Sequence, residues 1–496
     1  MRTYLIAFVL SLVAGLISTR VIRDLALRFG LYDQGGGRKL HKRPIPRLGG
    51  IAVAISAALP LMGVILWSNN ISAALLADRP LLLGGAGGAA IMLAVGVWDD
   101  LRDSRAVVKL AAQVLAALVV CAAGIQIDAV SIPYLGPVYL GWASVPATVF
   151  WMVLVMNAVN LIDGLDGLAG GMVVLAGGTL FIMSVFEGNT LAALLLVVVV
   201  GSTLGFLAYN VNPATIFLGD TGSLFLGFVL ALVSVHSSQK SYTLFSIVAA
   251  MLALGLPIFD LGMAVVRRYL SGQPIFRADQ HHVHHLLLRK GMTQSQAVVT
   301  LYAGAILLGG LSLVFIYADD QVSALAIAAL VPVVFLAVKA LGYGDVIRSA
   351  RRARVLEQAE AEASERADRL NALRARMEVA DSPERLWELV VEAARTLGLT
   401  RVELQLASEA PSVRRWTASR LGEVADDVHV QGLEAREIRL HAGPTELGTL
   451  RVLALDETEV MRSMGAALCQ VLADGISHAL LGMAVRATGR SAIGST

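Results

Sequence analysis

From its start to about residue 342 the sequence is a succession of apolar runs, each about twenty residues long, separated by short polar loops. A helix crossing about 30 Å of hydrocarbon needs about 20 mostly apolar residues. Lipid leaves no partner for unpaired backbone groups, so such a pattern restricts the chain to a bundle of spanning helices. Eleven candidate spans lie near 3–27, 50–68, 81–98, 107–125, 145–160, 168–186, 191–209, 222–237, 244–266, 297–317 and 322–340. The composition agrees: 56% of residues are hydrophobic and 16% charged, with a mean hydropathy of +0.68. Soluble domains run nearer about a quarter charged. The first run follows Arg2 and has the look of a signal peptide, but it is long, lacks a cleavage site and precedes a basic loop. It reads as a retained first span.

Short loops rich in Lys and Arg mark the cytoplasmic side. The first loop carries Arg28, Arg38, Lys39, Lys42, Arg43 and Arg47, the third Arg102 and Arg105, and the ninth Arg267, Arg268, Arg277, Arg289 and Lys290. Alternate loops hold almost none: Arg79 in the second and Lys240 in the eighth. The expected protein is therefore a multi-pass inner (plasma) membrane protein with its N-terminus outside and its C-terminus in the cytoplasm.

The unusual polar clusters fall on that same side. WDDLRDSR (98–105), NLIDGLDG (160–167), NVNPATIFLGDTGS (210–223) and FRADQHHVHH (276–285) occupy loops three, five, seven and nine. The loop around 126–141 reads as a short structural β-hairpin on the other side. Asp99 and Asp100 end the third span, at a helix C-terminus, which is the wrong end for negative charge. In NAVNLIDGLDGLAGG, Asp163 and Asp166 are three apart and would share a helical face, as would Asn157 and Asn160. Capping accounts for one such acid, not for two acids and two amides. Asp220 and Thr221 precede the eighth span, where an N-cap role suffices for Thr221. A carboxylate at a helix N-terminus also suits a Mg²⁺-bound phosphate.

HHVHH (281–285) holds four histidines in five residues. Zinc needs three or four converging ligands, which helical spacing does not supply here. With Arg277, Arg289 and Lys290 nearby, the histidines read as donors to phosphate or sugar. GGAGG (84–88) lies inside an apolar span and reads as helix packing, not as a phosphate loop. The two cysteines, Cys121 and Cys469, give neither a multi-cysteine zinc site nor a disulfide framework. Nucleic acid is not an expected partner.

Taken in order, WDDLRD, NAVNLIDGLDGLAGG, NPATIFLGDTGS and HHVHHLLLRKGMT, with the earlier HKRPIPRLGG (41–50), resemble the polyprenyl-phosphate N-acetylhexosamine-1-phosphate transferases. The resemblance spans residues 1–342, the expected transmembrane phosphoglycosyltransferase domain. His282, Val283, His284 and His285 match the His-x-His-His pattern of the N-acetylglucosamine branch, with the muramoyl-pentapeptide branch as the alternative. The resemblance implies transfer of N-acetylglucosamine 1-phosphate from UDP-N-acetylglucosamine to a polyprenyl phosphate such as undecaprenyl phosphate, with release of UMP. It implies Mg²⁺, with Mn²⁺ as the substitute ion, on Asp220 and Asp163. Asp99, Asp100, Asp163 and Asp166 would be the catalytic acids. Asn160, Asn212, Arg268, His282, His284 and His285 would meet the substrates. Both a direct attack by the lipid phosphate and a covalent aspartyl-phosphate route are compatible with these residues.

Beyond residue 342 the composition changes. Residues 343–380 alternate Glu and Arg as a charged helical linker. It reads as a solvated stalk, or, through its thin repeat of Val355, Leu356, Ala359, Leu370, Leu373 and Met377, as a parallel dimerising coiled coil that would make a homodimer. Residues 381–496 read as a cytoplasmic α+β domain: a helix after Ser382-Pro383, the strands RVELQLAS, EIRLHAG and GTLRVLALD, and a helix near 457–484. That order weakly resembles a GAF-type sensory domain. The expected fold is thus an all-α polytopic membrane protein with a C-terminal cytoplasmic α+β domain.

Overall fold

The computed structural model describes residues 2–32, 45–67, 70–102, 104–132, 136–241, 250–270, 282–317, 332, 339, 343–397, 401–406, 413–417, 433–442, 445–455, 470–471, 473–483 and 485. They form two compact units, Met1–Arg351 and Arg352–Thr496.

The first unit is helical: α1 (Arg2–Arg28), α2 (Gly49–Leu66), α3 (Asn70–Ala77), α4 (Arg79–Arg102), α5 (Ala106–Ala122), α6 (Ser144–Leu161), α7 (Leu168–Phe186), α8 (Thr190–Asn210), α9 (Gly219–Ser241), α10 (Gly255–Leu270), α11 (Val283–Arg289) and α12 (Gln294–Tyr317). Eight helices among the described residues are long and apolar enough to cross a membrane. The fourth expected span forms the 17-residue α5, and part of the ninth forms the 16-residue α10. The eleventh lies outside the described residues apart from 332 and 339. The expected hairpin is present, with β1 (Ala129–Ile132) pairing antiparallel to β2 (Gly136–Tyr139).

Apolar helices gain little hydrophobic stabilisation from one another in lipid, so they associate where small residues let backbones approach. Gly15 of α1 abuts Ser202 and Gly205 of α8, and Gly201 abuts Ser11 and Phe8. Gly84 and Gly87 of α4 face α5, while Gly85 and Gly88 face Leu232 and Phe228 of α9, which is the packing role expected of GGAGG. Helix α9 is the centre of the bundle: 94% of its spanning window is buried by protein, against 22% for α1.

The loops sort onto two ends. At one end Phe217 N donates to Pro46 O and Gly50 N to Leu218 O, which joins the first and seventh loops. At the other, His236 lies 3.0 Å from Asp78, Asn189 bonds Ser237, and Gln239 bonds Asp128.

The second unit holds most of α13 (Tyr343–Glu378), with α14 (Pro383–Leu397) and the strands β3 (Arg401–Leu406), β4 (Val413–Thr417), β5 (Leu433–Ala442) and β6 (Thr445–Leu455). Their antiparallel sheet has the order β4-β3-β6-β5. Ser382 Oγ accepts Arg385 N to start α14, with Pro383 at its first helical position. Leu386, Leu389, Val390, Ala393 and Ala394 recur at helical spacing and bury against Val402, Leu404, Leu440 and Leu450 of the sheet. Leu370, Leu373 and Met377 belong to this same core, so half of the thin heptad repeat is used within the unit. Val355 and Leu356 remain exposed.

Candidate functional site

The acid that looked misplaced at the C-terminus of α4 is satisfied by a different helix. Asp100 Oδ1 accepts the backbone N–H of Asp220 at 2.8 Å. Asp100 Oδ2 accepts the N–H of Thr221 at 3.1 Å and its hydroxyl at 2.6 Å. Asp100 therefore caps α9 from outside, and its charge meets the positive end of that helix. The cap expected from Asp220 or Thr221 is supplied instead by tertiary contact. Such an approach requires bare backbone: a Cβ on Gly96 would strike Thr221, one on Gly50 would strike Gly222, and Gly219 adopts φ +72° against the Arg47 carbonyl.

Asp99, 8% exposed, accepts Ser104 N at 2.8 Å and Ser104 Oγ at 2.5 Å, closing the turn into α5. Its other oxygen lies 3.2 Å from Lys109 Nζ, which reaches Asp220 Oδ2 at 2.6 Å. Asp99 and Asp220, far apart in sequence, thus share one ammonium. Sequence reading passed over Lys109. Its signal was present, however: one cation inside the apolar AVVKLAAQVLAALVV, where charge persists only with a partner or a function. One turn further, Gln113 exchanges hydrogen bonds with Asn157 at 2.7 and 3.4 Å.

Asp163 lies between α6 and α7, beside Asp220, Asp100 and Asp166. Its side chain keeps partial contact with solvent. Enclosure by protein, and then the three neighbouring carboxylates, push its carboxyl up to about 8. Asp166, 5% exposed, has a different task. Its Oδ2 accepts Asn212 Nδ2 at 2.9 Å and Ala214 N at 3.0 Å, tying this loop to residues 210–218. Asn210 adds a second tie, accepting Gly167 N at 3.0 Å and donating to Ile216 O at 2.9 Å. Tyr302 of α12 adds a third, its hydroxyl donating to Gly167 O at 2.5 Å. Gly167 itself has φ +79°, which a side chain would strain. Asn160 donates to Ser223 Oγ at 2.8 Å, fixing α6 to α9, and Asn212 also donates to Gln294.

The histidine segment reaches the same loop. A Cβ on Gly164 would strike His284 Nε2, so that ring rests on the backbone beside Asp163. His282 and His284 stack at 5.9 Å, and His285 lies 4.3 Å from His284. Burial first, then the neighbouring His285, depresses His284 to about 4, so it is neutral near pH 7. His281 lies outside the described residues. Arg268 is half-buried in the last turn of α10, and it is its neighbour Arg267 that is drawn into the interior, 4% exposed.

The carboxylates suit a hard divalent cation. Mg²⁺ commonly takes one or two carboxylates together with phosphate and water. Asp220 already holds a cationic partner, and Asp163 couples to it electrostatically. Among the described residues no group of three or more His, Cys, Asp or Glu forms a ready-made metal cage. Any bound Mg²⁺ would therefore draw its remaining ligands from substrate phosphate and water.

The chain is similar to several known proteins. The profile described as "Glycosyl transferase family 4" matches residues 82–238, a range that contains Asp99, Asp100, Asp163, Asp166 and Asp220. The chain is 39% identical over 298 residues to the Bacillus subtilis (strain 168) protein named "Probable undecaprenyl-phosphate N-acetylglucosaminyl 1-phosphate transferase", covering 60% of this chain and 80% of that one. It is 31% identical over 361 residues to the "Decaprenyl-phosphate N-acetylglucosaminephosphotransferase" of Mycobacterium tuberculosis (strain ATCC 25618 / H37Rv), covering 66% and 87%. With the Escherichia coli (strain K12) "Undecaprenyl-phosphate alpha-N-acetylglucosaminyl 1-phosphate transferase" it shares 27% over 305 residues, covering 60% and 79%.

Proposed function

The chain belongs to glycosyl transferase family 4, and from that premise we propose that it transfers N-acetylglucosamine 1-phosphate from UDP-N-acetylglucosamine to a polyprenyl phosphate, releasing UMP. The observation that carries this reading is the convergence at one end of the bundle. Asp99 and Asp220 share Lys109, Asp163 stands beside them, and His284 rests against the same loop. A phosphate-transfer site between a water-soluble sugar nucleotide and a lipid phosphate must lie at such an end, among groups able to hold several anionic oxygens.

In this reading an oxygen of the lipid phosphate attacks the sugar-bearing phosphorus of the donor. The new P–O bond forms as the bond to the UMP oxygen breaks. A phosphate monoester has its second pKa near about 6, so the acceptor is largely dianionic near pH 7 and needs no general base. Asp99 is therefore assigned a positioning role through Lys109, whose ammonium lies where an incoming phosphate would be drawn. Asp220 and Asp163 would hold Mg²⁺, or Mn²⁺ in its place. That ion supplies charge neutralisation on the diphosphate and on the departing UMP. His282, His285 and Arg268 would meet the sugar diphosphate, with His284 offering a neutral ring. Asp100, Asp166, Asn160 and Asn212 hold the scaffold in register.

The Lys and Arg of the odd-numbered loops support a reading in which this end faces the cytoplasm, where the donor is found, in a multi-pass plasma-membrane protein. The C-terminal unit would regulate the enzyme or bind a partner, a second copy of the chain among the candidates.

The deciding experiment measures UMP release by the purified full-length protein, comparing several UDP-sugars with undecaprenyl phosphate and Mg²⁺. The expected result is release with UDP-N-acetylglucosamine that requires both lipid phosphate and Mg²⁺ and is abolished in Asp220→Asn. No release, or release independent of lipid phosphate, would overturn the reading. Near-normal activity in Asp220→Asn would remove the metal assignment.

A further inference from the structure

One buried carboxylate stands apart from the cluster. Asp260 lies in α10, 2% exposed, within the otherwise apolar LPIFDLGMAVV. A carboxylate so placed is costly unless partnered. Its partners lie across a long connection, at the start of the histidine segment. Oδ1 accepts Val283 N at 3.0 Å, and Oδ2 lies 3.3 Å from His282 Nδ1. The second approach is electrostatic rather than an aligned hydrogen bond.

We propose that Asp260 is a positioning residue for the donor: it holds His282 with Nδ1 against its own carboxylate, so that the opposite ring nitrogen, Nε2, is presented to the anionic sugar diphosphate. This rests on the transferase reading above. An imidazole that gives one nitrogen to a carboxylate has its tautomer and ring orientation fixed for the other. The backbone contact adds to this, because the same carboxylate anchors residue 283 and so sets where α11 begins. The two buried histidines then divide their work. His282 is paired with a carboxylate, while His284 stacks beside it and faces Gly164. His282 has the Asp260 carboxylate against its Nδ1, and a diphosphate is a ligand class that an Nε2–H donor on the far side of the ring would serve.

Asp260→Asn separates these contributions, because its amide oxygen can still accept Val283 N–H while the charge facing His282 is lost. In full-length protein in detergent micelles, the expected result is a tenfold or greater rise in KM for UDP-N-acetylglucosamine. KM for undecaprenyl phosphate and the thermal unfolding midpoint should stay near wild type. In a His282→Gln background, Asp260→Asn should add no further loss. Wild-type KM in Asp260→Asn, or losses that multiply in the double variant, would overturn the proposal. If Asp260→Asn melts well below wild type, Asp260→Glu takes its place. Keeping the charge, it should retain KM within a few-fold, and a tenfold or greater loss there overturns the proposal as well. Calorimetric binding of UDP-N-acetylglucosamine supplies a readout independent of turnover. A wild-type protein that binds the nucleotide sugar without releasing UMP would contradict the transferase reading and still test Asp260.

Discussion

Lys109 Nζ lies 2.6 Å from Asp220 Oδ2, joining the helix after the first acidic motif to the helix that carries the third. It also reaches Asp99 at 3.2 Å, so one ammonium neutralises two carboxylates. Lys109→Met should lower kcat/KM by about 100-fold or more, on the scale of losing a charge-assisted contact to a transferring phosphoryl group. Because the variant leaves more negative charge beside the cation site, raised Mg²⁺ should recover part of the loss. UMP release titrated with Mg²⁺ checks both effects. Unchanged activity would mean that the ammonium serves the fold alone.

Asp100 is a cap, and caps are worth about 0.5–2 kcal/mol. Asp100→Ala should lower the unfolding midpoint in detergent and reduce kcat, since the start of α9 also places Asp220. Asp100→Asn retains one accepting oxygen and should be milder on stability. Equal unfolding midpoints for wild type and Asp100→Ala would contradict the capping role.

Gly164 has no positive φ, so alanine fits its backbone, yet its Cβ would collide with His284 Nε2. Gly164→Ala should therefore displace the histidine segment from the acidic loop without unfolding the bundle. The expected result is at least about a tenfold loss in kcat/KM, the size of about 1.4 kcal/mol, with a near-normal unfolding midpoint. Full activity would show that the contact between ring and loop is incidental.

Asp163 is held up to about 8, above the ordinary carboxylate range, first by burial and then by Asp220, Asp100 and Asp166. The folded protein thus keeps a proton there at neutral pH that the unfolded chain has released. Stability from this group is full below the unfolded value near about 4 and is lost as pH rises toward about 8. A divalent cation would displace that proton. Apparent Mg²⁺ affinity should therefore rise from pH 6 to about 8 and level off above it, with proton release on binding. Asp163→Asn should flatten the dependence. A Mg²⁺ requirement independent of pH in the wild type would count against Asp163 as a ligand.

Much of this is legible in the sequence. The apolar runs marked nine of the described helices to within a few residues, the ninth run overlaps Gly255–Leu270 only in part, and the acids and histidines of the motifs lie at or near helix ends. The roles within the motifs were less legible. Asp99, Asp100, Asp163 and Asp166 look alike in sequence. Only their partners distinguish Asp100, which caps α9, from Asp166, which ties two loops, and from Asp163, which has carboxylate neighbours. Lys109, Asp260 and Tyr302 are hard to read from sequence because each sits alone in an apolar run and finds its partners on distant segments. Strand β4, VRRWT, was missed because its two arginines hide the alternation of a strand that pairs along one edge with β3.

The sequence by itself determined the class of molecule, because hydrocarbon forces every backbone group into a helix and short polar loops have nowhere to lie but the two ends. It also marked which loops gather acids, amides and histidines. Which acid touches a cation and which only holds a helix was decided by tertiary structure alone. Capping, pairing and burial depend on distances between segments more than a hundred residues apart, such as Asp100 and Thr221, and no local pattern encodes them.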